Sequence, residues 1–126
     1  MERIFAPWRM NYIRQGETKG CIFCEMKEIG VSPESLIVFM SEFSFVILNR
    51  YPYVSGHVMV VPLRHTGDIA GLSPEEFTDM MAVMRLSASV VGEAFKPQGL
   101  NIGMNLGKAA GAGIEDHLHV HIVPRK

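Results

Sequence analysis

Apolar and polar positions along the 126 residues fall into runs of two periods. LIVFM (36–40) and FSFVILN (43–49) are short, rich in β-formers and joined by Ser41-Glu42, a pattern that predicts a hairpin. HVMVVPL (57–63) predicts a third strand after the loop YPYVSG (51–56), and Pro62 marks its end. LNIGMN (100–105) alternates again and predicts a fourth. The last strand is predicted over EDHLHVHIVPRK (115–126), where Leu118, Val120 and Ile122 alternate with His117, His119 and His121. Side chains two apart in a strand share a face, so the imidazoles form one row, spaced about 7 Å, and the aliphatics the other.

Between the third and fourth strands the period changes. Ser73-Pro74-Glu75-Glu76 is a helix start, with a capping serine, a first-turn proline and a glutamate three residues after the cap. Phe77, Met81, Met84, Ala88, Val91 and Phe95 then recur at spacings of four and three, which predicts one core-facing stripe on a helix closed by Lys96-Pro97. A short helix is expected from Cys21 to Glu28, closed by Gly30, and residues 1–20 read as an irregular arm. Three strands, a long helix and two strands give an α+β fold, a five-stranded antiparallel sheet with the helix on one face.

Composition narrows the function. The length suits one domain over 1–126, and a 48% hydrophobic, 20% charged chain is ordinary for a globular protein. A net charge of −1 excludes a global basic field for long nucleic acid but leaves local binding of small anions open. No apolar run approaches the ~20 residues of a membrane span, and MERIFAPWRM lacks a signal peptide's apolar core, so a cytoplasmic location is expected. Two cysteines at C-x-x-C spacing agree with it.

Two chemistries compete for the histidines: metal ligation, and nucleophilic attack by one imidazole with its neighbours positioning the target. Cys21 and Cys24 have zinc-site spacing, and a tetrahedral site needs four ligands, for which His65 is available. A thioredoxin-like redox pair is the rival, though no parallel βαβ pattern surrounds the cysteines. GKAAGAG (107–113) runs into the histidine strand and could turn backbone N–H groups toward a phosphate as a nest. Imidazole is nucleophilic near neutral pH, and a phosphoramidate can be discharged in a second step. The residues thus point to nucleotidyl or phosphoryl transfer with zinc at one end of the row.

The run His117-Leu-His119-Val-His121-Ile-Val after a Gly-rich loop resembles the signature of the histidine triad (HIT) family. ILNRYPYVSGHVMVVPLRH (47–65) is similar to its ribose-binding segment and first histidine strand, and HLHVHIVPRK to the fragile-histidine-triad branch. FAPWRMNYI with CIFC resembles a microbial branch that includes diadenosine tetraphosphate phosphorylases. The resemblance implies that His119 is the nucleophile, forming a nucleotidyl-histidine intermediate, with His121 and His57 flanking the phosphate. It implies ribose contact by Asn49, phosphate contacts by Asn105, and a nest including Gly111 and Gly113. It also implies a structural Zn2+ on Cys21, Cys24, His65 and His117, a homodimer with the long helix at or near its interface, and a purine-nucleotide or dinucleoside-polyphosphate substrate. Phe5, Trp8 and Ile37 are candidates to clasp the base. Hydrolase members often carry Gln, Ser or Thr just before the triad. Gly111-Ala112-Gly113-Ile114 looks more like the phosphorolytic branch, because no side chain there could orient water. Hydrolysis of dinucleoside polyphosphates or nucleoside phosphoramidates, and a zinc-stabilised nucleotide-binding module with little turnover, are the alternatives.

Overall fold

The computed structural model describes residues 20–49, 56–110 and 116–126. The expected loop 51–56 and the glycines Gly111 and Gly113 therefore lie largely or wholly outside the described residues, as do Phe5 and Trp8. Five strands, β1 (Ile37–Met40), β2 (Ser44–Leu48), β3 (Val58–Pro62), β4 (Gly99–Gly103) and β5 (Val120–Arg125), form one antiparallel sheet in the order β1-β2-β3-β5-β4. Two α-helices accompany it, α1 (Ile22–Ile29) and α2 (Pro74–Phe95).

The α+β expectation holds, and α1 adds a layer that the single-face reading lacked. On one face Val46, Val58, Val60, Val120 and Ile122 pack with Met80, Val83 and Val91 of α2. On the other, Phe45, Ile47 and Val61 pack with Phe23, Cys24 and Met26 of α1. Adjacent residues of β2 and β3 thus serve opposite cores, as the two-residue period of a strand requires. Ile37, a candidate base contact, is spent in the α1-side core.

Each helix is tied to the sheet by polar bonds as well as burial. Lys27 Nζ donates to the Leu63 carbonyl at 2.8 Å, joining α1 to the end of β3. Asp79 of α2 accepts from Ser41 Oγ at 2.6 Å and from the Phe43 amide at 3.2 Å, joining α2 to the β1–β2 turn. An isolated helix of eight residues is unstable in water, so α1 exists because its Phe23, Cys24 and Met26 face is buried.

The cap of α2 is the one expected. Ser73 Oγ accepts from the Glu76 amide at 3.1 Å and Glu76 Oε1 accepts from the Ser73 amide at 2.8 Å. The helix ends at Lys96, whose left-handed φ of 46° stops propagation before Pro97. The stripe, however, is rotated by about one residue from the expected one. Met80, Val83, Ser87 and Val91 are buried, whereas Phe77 and Phe95 are 40% and 47% exposed. Both helix flanks are apolar, so periodicity alone could not choose between neighbouring meridians.

Strand boundaries are shorter than expected at every strand, and the largest correction is at β5. The ladder begins at Val120, so His117 and His119 precede it and only His121 lies within it. Gly56 sets up the other histidine-bearing segment. Its φ is +89°, and a Cβ there would stand 2.8 Å from the Phe95 ring, so glycine is required just before His57.

Removing the Ser73 hydroxyl (Ser73→Ala) should cost about 1 kcal/mol in urea unfolding at neutral pH. Glu76 also carries a pH signature. The Arg64 guanidinium and then the Ser73 amide hold its carboxyl down at about 2 in the folded chain. Its stabilisation is therefore complete above the unfolded carboxyl range and is lost as pH falls through the folded value. Glu76→Gln should be less stable than wild type at neutral pH, with the gap closing between about pH 5 and pH 2. A gap independent of pH would contradict this role.

Candidate active site and metal centre

The face of the sheet that carries α1 also carries the histidines. β3 and β5 pair with Val58 opposite Ile122 and Met59 opposite His121, which puts His121 on the side away from α2. His57 is two residues before Met59 and shares its face. His119, two before His121, approaches the Phe23 ring of α1 at 5.2 Å between centroids.

His117, expected as one of a single row of three imidazoles, lies before β5 and is turned into the interior. It is 0% exposed, with its ring edge-on to Phe23 at 5.4 Å and to His65 at 5.0 Å. Its Nε2 donates to the Pro62 carbonyl at 2.9 Å, leaving Nδ1 as the lone-pair nitrogen of the neutral ring. That Nδ1 faces Cys21 Sγ at 3.2 Å, Cys24 Sγ at 3.6 Å and His65 Nδ1 at 3.2 Å. Cys24 Sγ lies 3.2 Å from His65 Nδ1 in turn. Asp116 Oδ2 stands 3.5 Å from His65 Nε2 and favours the proton there, so His65 also presents a bare Nδ1.

The four donor atoms all lie within 4.8 Å of one another. Two imidazole lone pairs and two sulfurs converging in a buried space repel unless something positive sits between them. This donor set suits a tetrahedral metal ion. The thiols respond to one another as a pair: the Cys21 hydrogen bond pulls Cys24 toward thiolate, with His117 and His65 adding to the effect. The same bond and burial push Cys21 up. An α1-borne C-x-x-C and histidines from two distant segments thus meet as the sequence analysis expected, including His117, which entered only by resemblance.

His119 lies beside this centre with different chemistry. Its Nδ1 donates to the His117 carbonyl at 3.2 Å, so the neutral ring carries its lone pair on Nε2. Burial is the main cause holding its pKa below the ordinary histidine value, with His121 and His117 adding to it against the opposing His117 carbonyl. The ring is therefore biased toward its neutral form, with Nε2 bare. His57 is lowered too, by burial first and then by His121, Arg125 and His119.

Asn49 directly opposes His57 and its Nδ2 lies 2.9 Å from His57 Nδ1. Asn105 is exposed just past β4, with no bond to the histidines among the described residues. Three residues of this neighbourhood escaped the sequence analysis: Phe23, Asp116 and Pro62. The signals were position alone, Phe23 lying between the two cysteines and Asp116 immediately before His117. Pro62 acts through its carbonyl, which side-chain chemistry does not reveal.

Comparison with known proteins agrees with this geometry. A model of the HIT domain matches residues 31–126. The AP-4-A phosphorylase of Mycobacterium tuberculosis (strain ATCC 25618 / H37Rv) is 34% identical over 134 residues, covering 99% of this chain and 68% of that protein. A bis(5'-adenosyl)-triphosphatase of Dictyostelium discoideum is 41% identical over 93 residues, covering 74% of this chain and 62% of that protein. Among solved structures, a Zn-bound histidine triad family protein from Mycobacterium smegmatis superimposes with a TM-score of 0.73 at 32% identity, covering 86% of this chain and 77% of that one. The chain spans about two thirds of the two named enzymes. A triad on the α1 face, a domain match over most of the chain and a relative similar along almost all of it place this chain in the HIT family.

Proposed function

We propose that the protein cleaves dinucleoside polyphosphates through a nucleotidyl-histidine intermediate at His119, with inorganic phosphate as the preferred acceptor. One observation carries the reading. His119 is neutral, with Nδ1 fixed on a carbonyl and Nε2 left as a lone pair beside His57 and His121. In the first step Nε2 attacks the α-phosphorus of diadenosine tetraphosphate. A P–N bond forms, the P–O bond to the rest of the polyphosphate breaks, and ATP departs. In the second step a phosphate oxygen attacks the adenylyl group, the P–N bond breaks, and ADP leaves with His119 restored. Water in place of phosphate would give AMP. His57 and His121 would donate to the phosphoryl oxygens as charge develops. Asn49 would contact the ribose, and Asn105, Gly111 and Gly113 would lie near the phosphates.

Phosphorolysis is favoured by the Gly111-Ala112-Gly113-Ile114 run and by similarity along 99% of the chain to a protein named for that reaction. Hydrolysis is the second reading, favoured by the 41% identity to a triphosphatase. A homodimer accompanies either reading, with the exposed Phe77 and Leu86 of α2 available to a second copy.

The ion that suits Cys21, Cys24, His65 and His117 is zinc. Zn–S bonds of about 2.3 Å and Zn–N bonds of about 2.0–2.1 Å in a tetrahedron put nitrogen and sulfur about 3.5 Å apart. Three of the four S···N separations here are 3.2, 3.2 and 3.6 Å, and all four donors lie within 4.8 Å of one another. All four positions are filled by protein, so the ion supplies a cross-link rather than a Lewis acid. It joins α1 to the segment that enters β5.

Chromatography of products from diadenosine tetraphosphate, with and without inorganic phosphate, tests the reaction. ADP plus ATP only when phosphate is present is the expected result. AMP plus ATP without phosphate would replace phosphorolysis by hydrolysis. His119→Ala should lower turnover by at least about 1,000-fold with the unfolding midpoint little changed. Zinc is tested by metal analysis: the purified chain should carry an equimolar amount, lost in Cys24→Ser together with thermal stability. Asp116→Ala should weaken zinc about 10- to 100-fold by releasing His65. Unchanged metal content in Cys24→Ser would overturn the assignment.

A further inference from the structure

We infer that Asn49 is a positioning residue for His57, locking its ring in the tautomer with the proton on Nε2 and thereby setting an N–H donor against the anionic part of the ligand. Only the identity of that anion, a phosphoryl group, rests on the function proposed above.

The backbone makes the pairing unavoidable. Leu48 of β2 is opposite Val58 of β3, so the next pair outward is Asn49 and His57, and the Asn49 amide donates to the His57 carbonyl at 3.2 Å. Directly opposed residues project their side chains to the same face. Asn49 Nδ2 accordingly reaches His57 Nδ1 at 2.9 Å. An amide nitrogen can only donate, so Nδ1 must be the bare, accepting nitrogen, and the proton of the neutral ring sits on Nε2.

Nε2 is buried and has no hydrogen-bond partner among the described residues. A buried N–H without an acceptor is rare and calls for an explanation. Asn49 holds the Nδ1 edge of the ring from the β2 side, and β5 flanks β3 on the opposite side. The groups that act electrostatically on His57 are His121, Arg125 and His119, all from that side. Every one of them is cationic when charged. This corner therefore disfavours a second positive charge on His57 and favours an anion against its N–H. The missing partner of Nε2 is an oxygen that arrives with the ligand.

The choice of amide over acid at position 49 follows from the same geometry. A carboxylate has no proton to give, so Asn49→Asp would draw a proton onto Nδ1. The ring would then offer a lone pair on Nε2 or become fully charged. Asn49 thus acts on the reaction through His57, besides any contact with ribose. The two roles separate kinetically: a lost ribose contact raises KM, whereas a misoriented His57 lowers kcat.

The test reads the ring in the ligand-free, full-length protein by long-range 1H–15N NMR, with the His57 signals assigned from a His57→Gln variant. Wild type should show a bare Nδ1 and a protonated Nε2, and Asn49→Asp a protonated Nδ1. In kinetics, Asn49→Ala should lower kcat about 10- to 100-fold. In a His57→Ala background the same change should lower kcat less than about 2-fold. A wild-type ring protonated on Nδ1, a ring unaltered by Asn49→Ala, or equal kcat losses in both backgrounds would each overturn the inference. A protein without nucleotide turnover would sink the proposed function, and the tautomer would still decide for or against Asn49.

Discussion

One buried imidazole, His117, stands where α1, the end of β3 and the segment entering β5 meet. Its Nε2 is bonded to the carbonyl that ends β3, its Nδ1 faces the thiols of Cys21 and Cys24 at the start of α1 and the ring of His65, and its own carbonyl holds His119. A polar ring taken wholly out of water is tolerated only when its polar atoms are satisfied, so each of these contacts is obligatory. Meeting them fixes where α1 sits, how the chain enters β5 and which nitrogen of His119 is bare. Fold and chemistry share this residue.

The sheet then divides the work between its faces. Toward α2, alternate residues of β2, β3 and β5 are aliphatic, and the helix seals them into an apolar core. Toward α1 the sheet is apolar where Ile37, Phe45, Ile47 and Val61 meet Phe23 and Met26. Beyond that patch lie His57 just before β3, His121 within β5 and His119 in the segment entering β5. Phe23 stands at the boundary, touching the apolar core on one side and the rings of His117 and His119 on the other. Burial by α1 is also what keeps His119 neutral, so a packing element sets a chemical property.

Much of this was legible because it is local. Short β-forming runs between turn residues placed β1, β2 and β3, alternation placed β4 and β5, and the serine, proline and glutamate at 73–76 placed the start of α2 to the residue. Alternation also put Leu118, Val120 and Ile122 in the core. What failed was non-local. His117 reads as one of three equivalent ring positions, and its burial depends on cysteines more than 90 residues away in sequence. The α2 stripe was displaced because Met81 and Met84 are as apolar as Met80 and Val83. Asp116 and Pro62 act on their histidines through contacts that no motif encodes.

His119, neutral and held by the His117 carbonyl, is the nucleophile in the reaction proposed above. Intact-protein mass spectrometry tests it most directly, after brief mixing with diadenosine tetraphosphate in the absence of phosphate and a denaturing quench at alkaline pH. A mass gain of one adenylyl group is expected, located by fragmentation to the peptide containing His119 and discharged by adding phosphate before the quench. Turnover without any adduct, or an adduct on a different residue, would contradict it.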